Sequence, residues 1–246
     1  MTAGMTAVAT QRGAIMLAEL EKPQAGAGHV LVRTELSAIS PGTEMTFVKR
    51  AAEQQVVLGY SAVGIVEQVG EGVQGRSVGD RVACYGAPYV KHAQWLSVPA
   101  NLTAVVPEHV APEEAAFAGL GAIAIHALRV ADLAFGESAI VVGLGILGNL
   151  IAQIADRAAY RTIGLDVNAE RAAMLRSQGL TEVYSSQAAM EEQLPAATGG
   201  IGADAVLLCA SGPGEPLLNA ALDWIRDRGK IVIVGDLTMQ FDRGRM

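Results

Sequence analysis

Residues 143–148 read Gly143-Leu144-Gly145-Ile146-Leu147-Gly148 and stand between a wholly apolar run, 139–142, and a helix-periodic segment, 147–159. In that segment Leu147, Leu150, Ile151 and Ile154 fall on one face. Three glycines at this spacing, between a buried strand and an amphipathic helix, leave few folds open. Gly143 permits a tight turn, Gly145 lets the backbone approach a pyrophosphate, and Gly148 lets the helix lie close to the strand. The helix start, at Ile146 and Leu147, then presents unpaired N–H groups to an anion. Asp166 lies eighteen residues past Gly148, at the end of the next apolar run. A carboxylate there can accept both ribose hydroxyls of NAD and would repel a 2′-phosphate. Arg171 is near enough to swing toward such a phosphate, which leaves NADP open.

The downstream pattern is an alternation of strands and helices. Strand-like runs at 139–142, 162–165, 182–184, 205–209 and 230–234 are separated by helical segments at 147–159, 170–178 and 216–228. Gly179 and Gly229 stop the last two. Such alternation predicts an α/β fold with a doubly wound parallel sheet. Ligands sit beyond the carboxyl ends of such strands, so Ala210 and Gly235 should border a bound nicotinamide.

The upstream half reads differently. Short β-rich runs at 13–20, 30–36, 63–69, 81–85 and 94–98 are divided by glycine turns, with a loop at 37–44, as in a barrel or sandwich. Pro112-Glu113-Glu114 opens a helix that runs in pieces to about residue 133 and connects the halves. The expected domains are 1–130, including that connector, and 131–246.

Composition removes several function classes. With 246 residues, 51% hydrophobic and 17% charged, the chain can bury a sizeable core and is not globally disordered. A net charge of −7 argues against a nucleic-acid partner. Mean hydropathy is +0.32. The most apolar stretches, 115–127 and 139–154, are nevertheless too short or too broken by glycine to span a membrane. The first thirteen residues lack the basic and apolar regions of a secretory leader. The expectation is a cytoplasmic protein with a small-molecule substrate. Cys84 and Cys209 read as buried small hydrophobes.

With these motifs in place, the chain resembles the medium-chain dehydrogenases/reductases, the zinc-type alcohol dehydrogenase-like superfamily. The resemblance rests on residues 39–44, on Gly59-Tyr60-Ser61-Ala62-Val63-Gly64 with Gly70 and Val73, on Gly79-Asp80-Arg81-Val82, and on the 143–148 loop. It implies an N-terminal GroES-like β domain followed by a Rossmann domain. Within the superfamily, residues 37–44 and the Gly59-Tyr60 step are most similar to the zinc-free members around the bacteriochlorophyllide-dehydrogenase-like group.

The departures from zinc-dependent relatives bear on chemistry. Where those relatives carry Cys-Gly-Thr-Asp, this chain has Pro41-Gly42-Thr43-Glu44, and where they carry Gly-His-Glu it has Gly59-Tyr60-Ser61. The third ligand would fall at 117–119, which holds no ligand residue, and the Cys-rich structural lobe is absent. The resemblance therefore implies an enzyme without zinc. Thr43 matches a proton-relaying hydroxyl, and Tyr60 should turn its phenol into the same cleft, so these two are the candidate catalytic residues. Glu44 reads as an anchoring or ion-pairing residue rather than an acid catalyst. His92 and His126 qualify as relays only where the fold brings them to the site, and His126 reads as a core histidine.

These readings converge on a zinc-independent NAD(P)(H)-dependent oxidoreductase, moving a hydride between nicotinamide and a small or hydrophobic alcohol, carbonyl or activated alkene. The alternative is a module, or a truncated fragment, that binds dinucleotide without turnover. Five Rossmann strands are legible where the six-stranded order expects one more. Without the sixth, strand five becomes an edge able to pair with a second copy in a homodimer.

Overall fold

The computed structural model describes residues 4–238. The chain divides into two compact units, Met1–Leu120 and Gly121–Met246.

In the first unit β1 (Gly4–Gln11), β2 (Ala14–Glu21), β3 (His29–Ser37), α1 (Pro41–Arg50), β4 (Val56–Val57), β5 (Ser61–Val69), β6 (Arg81–Tyr85), β7 (Trp95–Pro99), β8 (Thr103–Val105) and α2 (Pro112–Ala115) follow in order. Five strands form an antiparallel sheet in the order β7-β3-β5-β6-β8, and a second sheet runs β2-β1-β4. Val30, Val32, Ala62, Val66, Val82, Leu96 and Val98 fill the core with Met5 and Ala7. Small aliphatic residues let the strands approach closely. A Cβ at Gly64 would stand 2.2 Å from the Arg33 carbonyl oxygen, so this β3–β5 crossing admits only glycine.

Two expectations are corrected here. Residues 41–44 are not loop but the first turn of α1. Pro41 takes the first helical position, where its missing N–H costs nothing, and Glu44 stands toward the positive helix end. β1 was not expected at all. Beside Met5, its inward residues are the small Ala7 and Ala9 with Thr10, which carry little apolar signal yet are fully or nearly fully buried.

The division between the units falls inside α3 (Ala118–Ala131). Beyond it come β9 (Ser138–Val142), α4 (Ile146–Arg157), β10 (Arg161–Leu165), α5 (Ala169–Ser177), β11 (Val183–Tyr184), α6 (Gln187–Thr198), β12 (Ala203–Leu208), β13 (Gly212–Pro213), α7 (Glu215–Trp224), β14 (Ile225–Ile233) and β15 (Leu237–Thr238). Five strands pair in the order β11-β10-β9-β12-β14, and every pair is parallel. This is the doubly wound order 3-2-1-4-5 expected of a Rossmann sheet. The sheet is apolar on both faces, as a parallel sheet between helices must be. One face packs Val141, Leu207 and Ala205 against Ile151, Ala155 and Leu175, and the other packs Ile140, Ile163 and Val206 against Met190, Leu218 and Trp224.

The last helix ends earlier than its periodicity implies. Ile225, expected on the inner face of a helix, instead opens β14. The expectation of a missing sixth strand concerns the chain after Thr238, outside the described residues. Among the described residues no helix is long and apolar enough to cross a membrane.

Candidate cofactor and active site

In the second unit the glycine loop follows β9 and opens α4, as its spacing requires. Gly143 has φ +89°, a left-handed conformation that favours glycine, and a Cβ there would lie 2.7 Å from the Ala210 nitrogen. At Gly148 a Cβ would stand 1.9 Å from the Gly143 carbonyl oxygen, so the helix is seated directly on the turn. Gly235 is equally confined, with its would-be Cβ 1.9 Å from the Ala210 carbonyl oxygen. Gly145 is the contrast: nothing lies within 4 Å of a Cβ built on it. Packing therefore accounts for Gly143, Gly148 and Gly235, and open space remains over Gly145.

Capping sharpens this difference. Asn168 accepts from the first-turn N–H groups of α5, and Ser186 does so for α6. At α4 the N-cap is Gly145 and no side chain caps the helix. The N–H groups at Ile146 and Leu147 are thus left for an outside acceptor, beside a positive helix end. Ile146 is exposed and Leu147 half-buried.

Asp166 stands just after β10 and is 5% exposed. Its Oδ2 accepts from the Leu144 N–H at 2.7 Å, and its Oδ1 accepts from the Asn168 N–H at 2.8 Å. The carboxylate thus ties the glycine loop to the strand beside it, a role that spacing alone did not disclose. Each oxygen keeps a second lone pair. The Arg171 guanidinium, on the first turn of α5, lies 3.6 Å from Oδ2 and is more than half exposed. Ala210 and Gly235 follow β12 and β14 and touch one another. The structure therefore gathers Gly143, Gly148, Ala210 and Gly235 into one set of close contacts at the carboxyl ends of β9, β12 and β14.

In the first unit Thr43 is exposed on the first turn of α1. Tyr60 is half-buried before β5, its ring edge-on to Tyr85 with centroids 5.9 Å apart and planes at 80°. Burial, together with the neighbouring Tyr60, pushes the Tyr85 phenol above its ordinary range. Tyr85 occupies the space left by Gly119, where a Cβ would meet its ring at 2.2 Å.

Glu44 is deeply buried and anchored, as its sequence context implied. Its Oε1 accepts from the Ser40 N–H at 2.8 Å, closing the start of α1. Its Oε2 lies 2.7 Å from His92 Nε2, and His92 Nδ1 lies 2.8 Å from Ser37 Oγ. Nothing in the sequence joins these three residues, since His92 is 48 positions from Glu44. His126 is corrected: it is exposed on α3 rather than held in the core. Cys84 and Cys209 are free thiols pushed up to about 12 by burial, which makes them inert.

The model of the alcohol dehydrogenase GroES-like domain matches residues 26–128, and the model of the zinc-binding dehydrogenase matches residues 145–242. The chain belongs to the zinc-type alcohol dehydrogenase superfamily. It is 27% identical over 200 residues to the L-threonine 3-dehydrogenase of Idiomarina loihiensis, covering 68% of this chain and 58% of that enzyme. It is 28% identical over 245 residues to a mycocerosic acid synthase-like polyketide synthase of Mycolicibacterium smegmatis, covering 94% of this chain and 11% of that protein. A mycobacterial protein solved as a complex with NADPH superposes with a TM-score of 0.81 at 28% identity, over 98% of this chain and 77% of the other. The chain thus spans less than two thirds of each of these two curated relatives.

The zinc that the superfamily's name implies finds no suitable donors at the matching positions. Proline at 41 has no ligating atom, Tyr60 stands where an imidazole would be, and the Gly119 position is filled by the Tyr85 ring. Among the described residues no group of three or more His, Cys, Asp or Glu side chains is placed to hold a metal ion.

Proposed function

We propose that this chain is an NAD(P)(H)-dependent oxidoreductase that works without zinc on a small or hydrophobic alcohol, carbonyl or activated alkene. The observation that carries the reading is the contrast within the glycine loop. Gly143 and Gly148 are demanded by packing, whereas Gly145 faces open space at a helix end that no side chain caps. A bound pyrophosphate supplies the acceptor that such a helix end lacks. The superposition on a protein solved with NADPH supports the same assignment.

Bound there, the nicotinamide supplies hydride chemistry, and the protein's part is to bind, orient and manage protons. The N–H groups of the loop, with Ile146 and Leu147, hold the pyrophosphate. Asp166 accepts from the ribose hydroxyls with its remaining lone pairs, which favours NAD, and Ala210 and Gly235 border the nicotinamide through backbone. Thr43 and Tyr60 hydrogen-bond the substrate oxygen as its charge changes. The residues at the zinc positions support metal-free polarisation of that oxygen. The acidic balance and the lack of a spanning helix among the described residues fit a cytoplasmic enzyme of small molecules.

Titration with NADH and NADPH, followed by NADH oxidation with a panel of quinones, enones and aldehydes, tests the reading. Sub-millimolar binding with turnover is expected. Binding without turnover would leave only a dinucleotide-binding module.

A further inference from the structure

Three side chains of the first unit form a hydrogen-bonded chain that the dinucleotide reading does not use. The Ser37 hydroxyl lies 2.8 Å from His92 Nδ1, and His92 Nε2 lies 2.7 Å from Glu44 Oε2. The His92 and Glu44 side chains are 8% and 7% exposed. Their partners assign the protons. A carboxylate only accepts, so Nε2 carries the ring hydrogen and donates to Glu44. Nδ1 is then bare, and the Ser37 O–H donates to it. A hydroxyl bonded to a bare ring nitrogen, with a carboxylate holding the other nitrogen, is the arrangement of an activated nucleophile.

We propose that Ser37, His92 and Glu44 form an acyl-transfer site that hydrolyses small esters, with Ser37 as nucleophile, His92 as general base and Glu44 as the carboxylate that orients it. The proposal goes beyond the oxidoreductase reading. It draws every residue from the first unit and needs no nicotinamide.

The chain is held from both ends. The second Glu44 oxygen accepts from the Ser40 N–H. The His92 N–H donates to the Leu58 carbonyl at 2.8 Å, and the Val8 N–H donates to the His92 carbonyl at 2.8 Å. Gly59, at φ +102°, lies so close that a Cβ would stand 2.4 Å from the His92 nitrogen and 2.9 Å from its ring.

The nucleophile also faces room for a substrate. Ser37 and His92 line an open groove of about 300 Å³ with Thr34, Gln94, Val8 and Leu17. A bulge in β3 brings Thr34 to the Ser37 side. Thr34 pairs with Gly64, Leu36 with Val63 and Ser37 with Ala62 of β5, so Glu35 is the extra residue. Gly64 and Ala62 belong to one face of the sheet, and their partners Thr34 and Ser37 therefore share a face as well. The Thr34 Oγ1 is buried with no hydrogen-bond partner. The Thr34 N–H donates to the Gln94 carbonyl at 2.9 Å, which keeps the two residues side by side. Gln94 Oε1 accepts from the Thr6 N–H at 2.9 Å, and its amide nitrogen is left to donate. Two uncommitted donors thus share the groove with the nucleophile, as stabilisation of an oxyanion requires. The apolar Val8 and Leu17 suit a short acyl chain.

The chemistry balances without any redox partner. Ser37 Oγ bonds to the ester carbonyl carbon as its proton passes to His92 Nδ1, and Glu44 stabilises the imidazolium. The carbonyl oxygen takes up the negative charge and accepts from Thr34 and Gln94. The bond to the leaving oxygen then breaks with its electron pair, and that oxygen takes the proton from Nδ1 and departs as an alcohol. Water adds to the acyl-serine by the same route, giving its proton to Nδ1. The Ser37 Oγ–acyl bond breaks, Oγ regains the proton, and a carboxylic acid leaves.

The experiment uses the whole chain without added cofactor. Wild type is treated with a fluorophosphonate, digested and sequenced by mass spectrometry, and its hydrolysis of para-nitrophenyl butyrate is followed beside Ser37→Ala, His92→Gln and Thr34→Val. The adduct should sit on Ser37. Ser37→Ala and His92→Gln should each lower kcat by about 100-fold or more, with circular dichroism unchanged. Thr34→Val lacks only the donor and should lower kcat by about tenfold or more with no loss of stability. A purely structural network gives neither the adduct nor the kcat losses. Wild type that stays unlabelled at Ser37, or hydrolysis in Ser37→Ala within about threefold of wild type, overturns the proposal. Labelling of wild type decides the matter even where a variant fails to fold.

Discussion

The two units build their candidate sites from opposite materials. In the second unit the work is done by backbone: three glycines, a helix end without a side-chain cap, and one carboxylate that ties the turn to β10. In the first unit it is done by side chains: a glutamate, a histidine and a serine drawn from α1, the segment before β7, and β3. A backbone site tolerates no added atoms where it is packed and little else matters. A buried polar site tolerates changes of volume better than the loss of one partner.

Substitutions at the packed glycines should show the largest effect. Gly148→Ala places a methyl 1.9 Å from a carbonyl oxygen that is part of the main chain and cannot swing away. We expect destabilisation of about 3 kcal/mol or more, read by urea unfolding. Gly145→Ala, on the same turn with nothing within 4 Å, should leave stability within about 0.5 kcal/mol while weakening NADH. Equal stability losses at the two positions would erase the distinction between packing glycine and ligand glycine.

Glu44→Ala comes next. It leaves the buried His92 Nε2 without its acceptor and the Ser40 N–H uncapped. A loss of about 3 kcal/mol is expected, against a smaller one for Glu44→Gln, whose single amide oxygen can keep one of the two bonds. Indistinguishable stabilities for the two variants would show that the carboxylate's position does not depend on these bonds.

A smaller and pH-dependent effect should appear at Asp204, on β12. Burial alone would raise its pKa, but the Ser138 N–H, the Arg226 guanidinium and the Ser138 hydroxyl outweigh burial and hold it below the ordinary aspartate value. A carboxylate lowered on folding stabilises the fold above its unfolded pKa, and the contribution disappears as the pH falls through the folded pKa. Asp204→Asn should therefore cost about 2 kcal/mol at pH 7. The difference from wild type should shrink as the pH drops below about 4. A gap that stays constant down to pH 2 would contradict the assignment.

Asp166 gives the subtlest test. Because it accepts from the Leu144 and Asn168 N–H groups, Asp166→Ala disturbs the loop for either cofactor. Asp166→Asn, which keeps one acceptor oxygen, should weaken NADH several-fold more than NADPH, by titration of both. Parallel losses would remove the ribose role and leave the loop-fastening one.

What could be read from the sequence follows the same division. The glycine loop and the strand order of the second unit were legible because local constraints set them: a wholly apolar strand, a helix face and a glycine at each sharp turn. The end of α7 was misplaced because Ile225 suits a buried helical face and a strand equally, and only its parallel pairing with Ala203 decides. In the first unit β6 was legible at its bounds, 81–85, from its β-rich residues and the Gly79-Asp80 turn before it. β1 was not, since Ala7 and Ala9 are too small to announce burial. Thr43, Tyr60 and Glu44 could be singled out by position, and Glu44 proved an anchor. The Ser37–His92–Glu44 chain was invisible because its members meet only through tertiary structure. The one local sign was Gly59, whose backbone conformation makes room for the His92 ring.

The central claim is that open space over Gly145, beside an uncapped helix end, is a dinucleotide site. Calorimetric titration of NADH and NADPH into wild type and Gly145→Leu tests it most directly, because the substitution adds its side chain where nothing lies within 4 Å of the Cβ. The account predicts sub-millimolar binding of at least one cofactor to wild type, and a loss of more than about tenfold in Gly145→Leu with the unfolding midpoint unchanged. Wild type that binds neither cofactor, or a Gly145→Leu variant that binds as tightly as wild type, would contradict it.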